Sequence, residues 1–587
     1  MAWMLDAGTH EMKEVFMNRG LSSILILFTI LAGVLGCQGP RAGGLQFRQS
    51  DARRISAEEY VDKMKAGWIG QMAGVGWGAP TEFRYKGAII PEDKIPAWQP
   101  QTVNQFQQDD IYVEMTFLRT LELHGFNVSI RQAGIDFANS GYPLWHANRA
   151  GRDNLRNGIA PPDSGHPKFN KHADDIDYQI EADFAGLIAP GMPNVVIQLG
   201  EVFGRLMNYG DGLYGGQFVG GMYAAAFFET DRVKIVEAGL QCIPKESQYH
   251  ECISDVLEWY RQYPDDWTKT WQLINNKYQL NRNYRRFSCS APDDPYNIDA
   301  KINGAYIVMG LLYGKGDPDK TIVIATRCGQ DSDCNPSSAA GILFTTIGFK
   351  NLPDKFKSAL DLSSKFSHTP YNFPTLVDVS ERLARQALVN CGGRVEMDRQ
   401  GRDQFVIPRQ RLRPSRLEQC WAPGPAAESR YTEQEMAQIT ALVGKDLSQA
   451  VEKAMPDWKV TKCGEEMDPG FREELRGRQN VLVTHPLSPE IGCVLSRTVS
   501  LPASRKSTLK LVVGHDPRGD WDLIVRANGE QLLRKTIGPD TTSLGWAQVV
   551  VDLSRFAGQT VKLELVNEAT GWYFEAAYWS EISLQSE

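Results

Sequence analysis

Two short stretches of the chain pair carboxylates just where a helix is about to begin. Gln108-Asp109-Asp110 precedes an apolar run from Ile111, and Gly329-Gln330-Asp331-Ser332-Asp333-Cys334 precedes an Ala- and Gly-rich segment from Ser337. A helix N-terminus favours negative charge, because its unpaired N–H groups and aligned peptide dipoles leave a partial positive charge there. One aspartate is enough for a cap. Each stretch carries two, and four carboxylates brought together would repel one another unless a hard cation such as Mg²⁺ or Ca²⁺ sat among them. Separate capping is the competing reading, since spacing alone does not show that the stretches meet. Glu114 falls one helical turn after Asp110 and faces the same side.

Other polar groups suggest less. Asp174-Asp175-Ile176-Asp177, with Glu181 and Asp183, lacks the Gly and the ligand register of an EF-hand. It reads as solvated or capping, with Asp175 a candidate substrate contact. His146, His166 and His172 do not make a metal-binding spacing. No Ser-His-Asp arrangement and no Gly-rich dinucleotide fingerprint after a strand is identifiable.

The elements that must position these residues are helical from Ser56 to about Cys391. Ser56 with Glu59 makes a capping box for a helix running through Met72. Ile111 to His124, Gln217 to Glu229, Arg232 to Cys242, Gln248 to Tyr263, Ala300 to Leu312 and Ser337 to Ile347 follow with helical periodicity.

Within that span, the opening stretch from Gly70 through Gly74 and Gly78 to Glu82 and Phe83 resembles the first motif of the ADP-ribosylglycohydrolases, a family of helical, dimetal-containing hydrolases. Gln108-Asp109-Asp110 matches that family's Thr/Ser-Asp-Asp motif. Gly210 to Met222 is similar to its middle helical segment, and Gly329 to Cys334 matches its closing Gly-x-Asp-x-Asp-Thr. The resemblance implies an all-α ADP-ribosylglycohydrolase-like catalytic domain over 58–390. It implies one or two divalent cations, Mg²⁺ or another, held by Asp109, Asp110, Asp331 and Asp333. Glu82 and Asp110 become the expected catalytic residues, and Gln108, Glu114 and Asp175 the expected substrate contacts. The chain departs from the motifs at Val75, where the family usually has Asp, and at Gln108 and Cys334, where it has hydroxyl ligands. A thiol is a poor ligand for a hard cation, so one metal position is weakened or the sugar recognised differs from ADP-ribose. A non-catalytic glycan-binding lipoprotein that keeps the fold is the alternative.

The ends of the chain have their own signals. Met17-Asn18-Arg19-Gly20 precedes an apolar run from Leu21 to Gly36, then Cys37. A short positive start, an apolar core and small residues before the break describe a secretory leader over 1–36. Val34-Leu35-Gly36-Cys37 resembles a bacterial lipobox, implying lipidation of Cys37 and an exported protein, anchored by lipid at the outer membrane or in the periplasm. Residues 37–57 then read as a tether. Residues 391–485 read as an Arg- and Pro-containing connector, with Thr432 and Glu435 as a capping box for a short helix. From about 486 the period becomes two. Runs from Leu509, Trp521, Ala547 and Val561, with the turn pair Asn528-Gly529, indicate a C-terminal all-β sandwich of jelly-roll type over 486–587. It resembles galactose-binding-like modules of secreted glycosidases and makes a possible carbohydrate-binding domain.

Length and composition agree with this division. A chain of 587 residues needs more than one globular unit, and a net charge of -8 offers no basic surface for nucleic acid. The expected partner is a carbohydrate or ADP-ribose-like small molecule, with the membrane met only through the anchor. Cysteines beyond Cys37 are odd in number and contain no CxxC pair.

Overall fold

The computed structural model describes residues 52–284, 286–288, 296–439, 447–464, 466–504 and 506–586, and all of these belong to one compact unit. The leader, the tether up to residue 51 and Cys37 lie outside the described residues.

A short strand β1 (Arg53–Ser56) leads into helix α1 (Ala57–Gly78), whose start is fixed by the Ser56 hydroxyl accepting from the Glu59 N–H at 3.1 Å. The helical body continues with α2 (Asp109–His124), α3 (His146–Arg156), α4 (Asp211–Ala226), α5 (Ala300–Tyr313), α6 (Cys334–Ile347) and α7 (Phe373–Asn390), with further helices between them, and α1 packs chiefly against α6. The helical periods seen in the sequence are real. Both α1 and α6 extend beyond the expected limits, because their glycines and alanines are buried on every side rather than along one stripe.

One feature of α1 decides where the acidic stretches stand. A Cβ on Gly74 would lie 2.2 Å from the Pro336 carbonyl oxygen, and one on Gly78 would lie 2.0 Å from that of Ser332. Helix α1 therefore crosses the start of α6 backbone against backbone, which only glycine permits. This places the Asp331–Asp333 loop against the end of α1.

After α7 the chain does not simply leave the helical body. Strands β2 (Arg394–Met397) and β3 (Asp403–Ile407) form a three-stranded antiparallel sheet with β1, in the order β1-β3-β2. The following segment is held by Asp163, which accepts from Ala427 N–H at 2.8 Å and Ser429 N–H at 2.7 Å. Arg131 adds a paired contact to Glu435 at 2.5 and 2.6 Å. Thr432 and Glu435 do form the capping box, on a helix of one turn (Glu433–Met436). The connector is thus part of the helical body, tied by non-local pairing that local composition does not reveal.

The β part is two five-stranded antiparallel sheets face to face. One has the order β10-β9-β12-β7-β4 and the other β11-β8-β13-β6-β5. Its strands are β4 (Lys459–Thr461), β5 (Gly470–Leu475), β6 (Arg478–Thr484), β7 (Cys493–Ser500), β8 (Ser507–His515), β9 (Trp521–Ala527), β10 (Glu530–Ile537), β11 (Trp546–Asp552), β12 (Thr560–Glu568) and β13 (Ala577–Ser586). Trp521, Leu523, Leu565 and Trp579 lie in the core between the sheets. Asn528 and Gly529 both take positive φ, as a two-residue hairpin turn requires. The sheets begin ahead of residue 486. Edge strands β4 and β5 are short or rich in charge, so they lack the alternation that marks a half-buried strand.

Candidate metal centre

The two acidic stretches meet. Asp109 and Asp110 open α2, and the residue before them, Gln108, makes no side-chain cap. Asp333 precedes α6 and likewise makes no side-chain cap. The Asp110 and Asp331 oxygens cap nothing, so the competing reading of separate caps does not account for them. Gly329 and Gln330 have φ of 80° and 58°, and this left-handed turn swings Asp331 back towards α2. The turn is pinned by Phe83 N–H to the Gln330 carbonyl and Gln330 N–H to the Tyr85 carbonyl, both at 3.1 Å.

Asp110, Asp331 and Asp333 are buried and Asp109 half-buried. Burial pushes the Asp110 carboxyl well above the carboxylate range, and Asp109 and Asp333 push it further. Asp331 is pushed up to about 8, by burial first and then by Asp110 and Glu82. Asp333 is raised by burial and by Asp331. Both side-chain oxygens of Asp110 and both of Asp331 are buried without a hydrogen-bond donor. Among the described residues, no Lys, Arg or His forms an ion pair with any of the four aspartates. Donor atoms of Asp331, Asp333 and Cys334 lie within 4.8 Å of one another. Buried oxygens with no donor and mutually raised pKa values are what a site for a hard cation looks like before its charge is counted.

Glu82 follows α1 by one short turn. Its neighbour Thr81 shares a hydroxyl contact of 2.9 Å with Ser332, which ties it to the Asp331–Asp333 loop. Glu82 keeps contact with water, yet the protein crowding it pushes its carboxyl well up, Asp333 and Asp109 adding and Arg518 opposing. Glu114 is fully buried behind Asp110 and accepts from Phe184 N–H at 2.7 Å. Its other oxygen, Oε1, is buried without a partner. The Gln108 amide donates to the Gln105 side chain at 3.3 Å.

The acidic run is buried rather than solvated, and Asp177 takes the capping role also expected, accepting from Ala147 N–H at 3.2 Å and Asn148 N–H at 3.0 Å at the start of α3. Asp174, Asp175, Asp177, Glu181 and Asp183 are all buried. Asp183 was not singled out as part of the centre, yet it touches it. It accepts from Tyr223 OH at 3.2 Å and Ser338 OH at 3.4 Å, and its charge is felt at Glu114 and Asp110. Nothing local separates it from its acidic neighbours in the run. Asp175 lies outside the four-aspartate group. It pairs with His172 Nδ1 at 2.8 Å, and the His146 and His172 rings are 5.5 Å apart. This His-His-Asp grouping has no counterpart in linear spacing. Tyr296 joins it to the centre, donating to or accepting from His146 Nε2 at 3.0 Å and packing on Phe83 at 5.2 Å.

A family model described as ADP-ribosylglycohydrolase matches residues 56–393, more than half of the chain. The chain belongs to the ADP-ribosylglycohydrolase family. A solved structure titled "ADP-ribosylglycohydrolase-related protein complex" shares 13% identity over 56% of this chain and 99% of its own, with a TM-score of 0.37. A family 35 carbohydrate-binding module from Clostridium thermocellum shares 12% identity over 22% of this chain and 94% of its own, at a TM-score of 0.17. A Stig cyclase from Fischerella sp. TAU shares 17% over 22% of this chain and 74% of its own, also at 0.17. Scores this low carry no argument about activity. No curated protein matches the chain in sequence. For an ADP-ribosylglycohydrolase the departures at 108 and 334 are now concrete. Gln108 offers an amide, and the Cys334 thiol lies 3.7 Å from Asp333 Oδ1, its pKa raised by burial and by Asp110, so it stays protonated.

Proposed function

We propose that the chain hydrolyses a glycosidic bond with a divalent cation, Mg²⁺ or another hard ion, held by Asp109, Asp110, Asp331 and Asp333. The observation that carries this reading is the set of buried Asp110 and Asp331 oxygens that no donor satisfies. When bound, such an ion acts as a Lewis acid for sugar hydroxyls or water. The chain's own groups do the rest. Asp110 opens α2 with both oxygens free to meet the ion. Glu82 is open to water and its carboxyl is raised, the direction of shift that suits a group giving a proton to a leaving oxygen or taking one from an attacking water.

The substrate in this reading is a carbohydrate or an ADP-ribose-like glycoside. A leader and a lipid on Cys37 would put the enzyme at the outer membrane or in the periplasm, where glycans are met more often than ADP-ribosylated intracellular proteins. The test is turnover of ADP-ribosyl compounds and a panel of glycosides, in chelator and with Mg²⁺, Mn²⁺ or Ca²⁺ added. Activity should need the cation, and Glu82→Gln should lower kcat by about 10²–10⁴-fold while cation binding persists. Cation binding with no turnover of any substrate would replace the hydrolase with the glycan-binding alternative, which the missing hydroxyl ligands at 108 and 334 favour.

A further inference from the structure

Building on the reading that this centre acts on a glycoside, we propose that the β-sandwich is part of the active site. Tyr573 and Arg518 of its loops, with Lys86 and Tyr296 of the helical body, form a subsite for a sugar unit that carries an anionic group.

The sandwich loops concerned join β8 to β9 and β12 to β13. They brace each other: Thr570 OH donates to Asp520, and the Arg518 guanidinium lies 4.0 Å over the Phe574 ring. The second loop is also fixed from within. The Glu575 carboxylate accepts from Thr570 N–H at 3.0 Å and Gly571 N–H at 2.8 Å, and Phe574 is held at a φ of 62°. A loop this tied down presents Tyr573 rigidly, and Tyr573 is 59% exposed.

Tyr573 meets the helical body beside the acid centre. Its hydroxyl accepts from Lys86 Nζ at 3.3 Å. That ammonium lies 5.0 Å from the Tyr573 ring and 4.9 Å from the Tyr296 ring, bridging an aromatic from each part of the molecule. Lys86 stands on the loop whose Phe83 and Tyr85 are hydrogen-bonded to Gln330, next to Asp331. Among the described residues it has no carboxylate partner, although the neighbourhood is rich in acids. Arg518, ion-paired to Asp516 at 3.0 Å, is near enough for both Glu82 and Asp109 to feel its charge.

These positions suit one kind of ligand. The exposed tyrosine offers a face for the C–H groups of a sugar ring. An acid-lined centre repels an anion, so an anionic substituent is accepted only where cations face it. Lys86 supplies that charge, with no carboxylate partner among the described residues, and Arg518, which shares its charge with Asp516 at 3.0 Å, adds to it. The shared chemistry is a carboxylate of a hexuronate or a sulfate ester on a sugar.

Isothermal titration on the Asp331→Asn chain in chelator reads binding without turnover. Three disaccharides of one backbone are compared: neutral, hexuronate-containing and sulfated. At least one anionic form should bind about tenfold tighter than the neutral one, the scale of one charge-assisted contact, and which one does identifies the anion. Tyr573→Ala should weaken all binding by about tenfold. Arg518→Ala or Lys86→Gln should abolish the preference for the anion, with the melting temperature unchanged as the folding control. Equal binding of neutral and anionic forms, no binding of any, or binding indifferent to all three substitutions overturns the subsite. Anion-selective binding in a protein that hydrolyses nothing would leave the subsite standing and remove the hydrolase reading alone.

Discussion

The helical body buries two groups of carboxylates and treats them differently. In one, Asp174, Asp211 and Asp299 surround Lys301, whose Nζ lies 2.8 Å from Asp299, 3.5 Å from Asp211 and 3.7 Å from Asp174. Burial alone would strip the Lys301 proton, but the three aspartates hold its pKa well above the ordinary value. In the other, Asp109, Asp110, Asp331 and Asp333 crowd together, and among the described residues no lysine or arginine forms an ion pair with them. The first group brings its own cation within the fold. The second holds none among the described residues, and the oxygens of Asp110 and Asp331 are left without donors. Acid clustering by itself is therefore not the mark of a metal centre here; acid clustering without an internal counter-charge is.

Removing the internal cation should have the largest effect. Lys301→Met leaves three buried carboxylates uncompensated, and stability should fall by about 3–5 kcal/mol, read from the midpoint of denaturant unfolding. Added Mg²⁺ should not restore it unless the aspartates can be rearranged into a site. A small loss would mean that the two groups do not differ in the way their charges suggest.

Removing the external cation comes next. A divalent ion that binds only the folded state at about 100 times its Kd stabilises by about 2.7 kcal/mol, so melting in chelator should fall well below melting in Mg²⁺. Asp331→Asn should erase most of that difference. The pH dependence follows from the raised pKa of Asp331. Without metal its folded value is about 8 against an ordinary 3.8, so the fold binds the proton more tightly than the unfolded chain does. Its contribution is complete below about pH 4 and is lost as pH rises through about 8. The increment from Mg²⁺ should accordingly grow over the same window, since the ion must displace that proton. A melting temperature indifferent to every divalent ion tried would sink the metal centre.

A third substitution disturbs the position of the acids and leaves their number unchanged. Gly74→Ala puts a methyl 2.2 Å from the Pro336 carbonyl, forcing α1 and α6 apart at a cost of about 2 kcal/mol. Because α6 carries the Asp331–Asp333 loop, Mg²⁺ affinity should fall as well, while the Lys301 group, whose ligands lie elsewhere, should be unaffected.

How much of this could be read in the sequence depends on whether the signal is local. Asp109, Asp110, Asp331 and Asp333 were legible because each pair stands at the head of a helix, where two acids exceed what capping needs. Glu82, Gln108 and Cys334 were legible through motif order. Lys301 was not, since one lysine in an apolar helix gives no hint that Asp174 and Asp211, some 90 or more positions earlier, will reach it. The same holds for β3 pairing with β1 across the whole helical body, for His146 meeting His172 and Asp175, and for Tyr573 meeting Lys86. Asp183 was hidden by its own neighbours, being one acid in a run of similar ones.

The smallest expected effect concerns the one soft atom in the metal-side group. Cys334 is buried, its thiol stays protonated, and it stands where a hydroxyl would otherwise face Asp333 and Asp110. Sulfur is a weak ligand for a hard cation and a weak hydrogen-bond donor. Cys334→Ser changes little volume and supplies an oxygen and a better donor at the same position. If the ion is Mg²⁺- or Ca²⁺-like, its affinity should rise by roughly threefold, with stability in chelator changed by less than about 1 kcal/mol, both read by titration and melting. A fall in affinity would point instead to a softer metal that uses the thiolate, for which Asp331, Asp333 and Cys334 already lie within reach of one another. In that case Cys334→Ser should weaken Zn²⁺ far more than Mg²⁺, and the contrast between the two buried groups would hold while the identity of the missing cation changed.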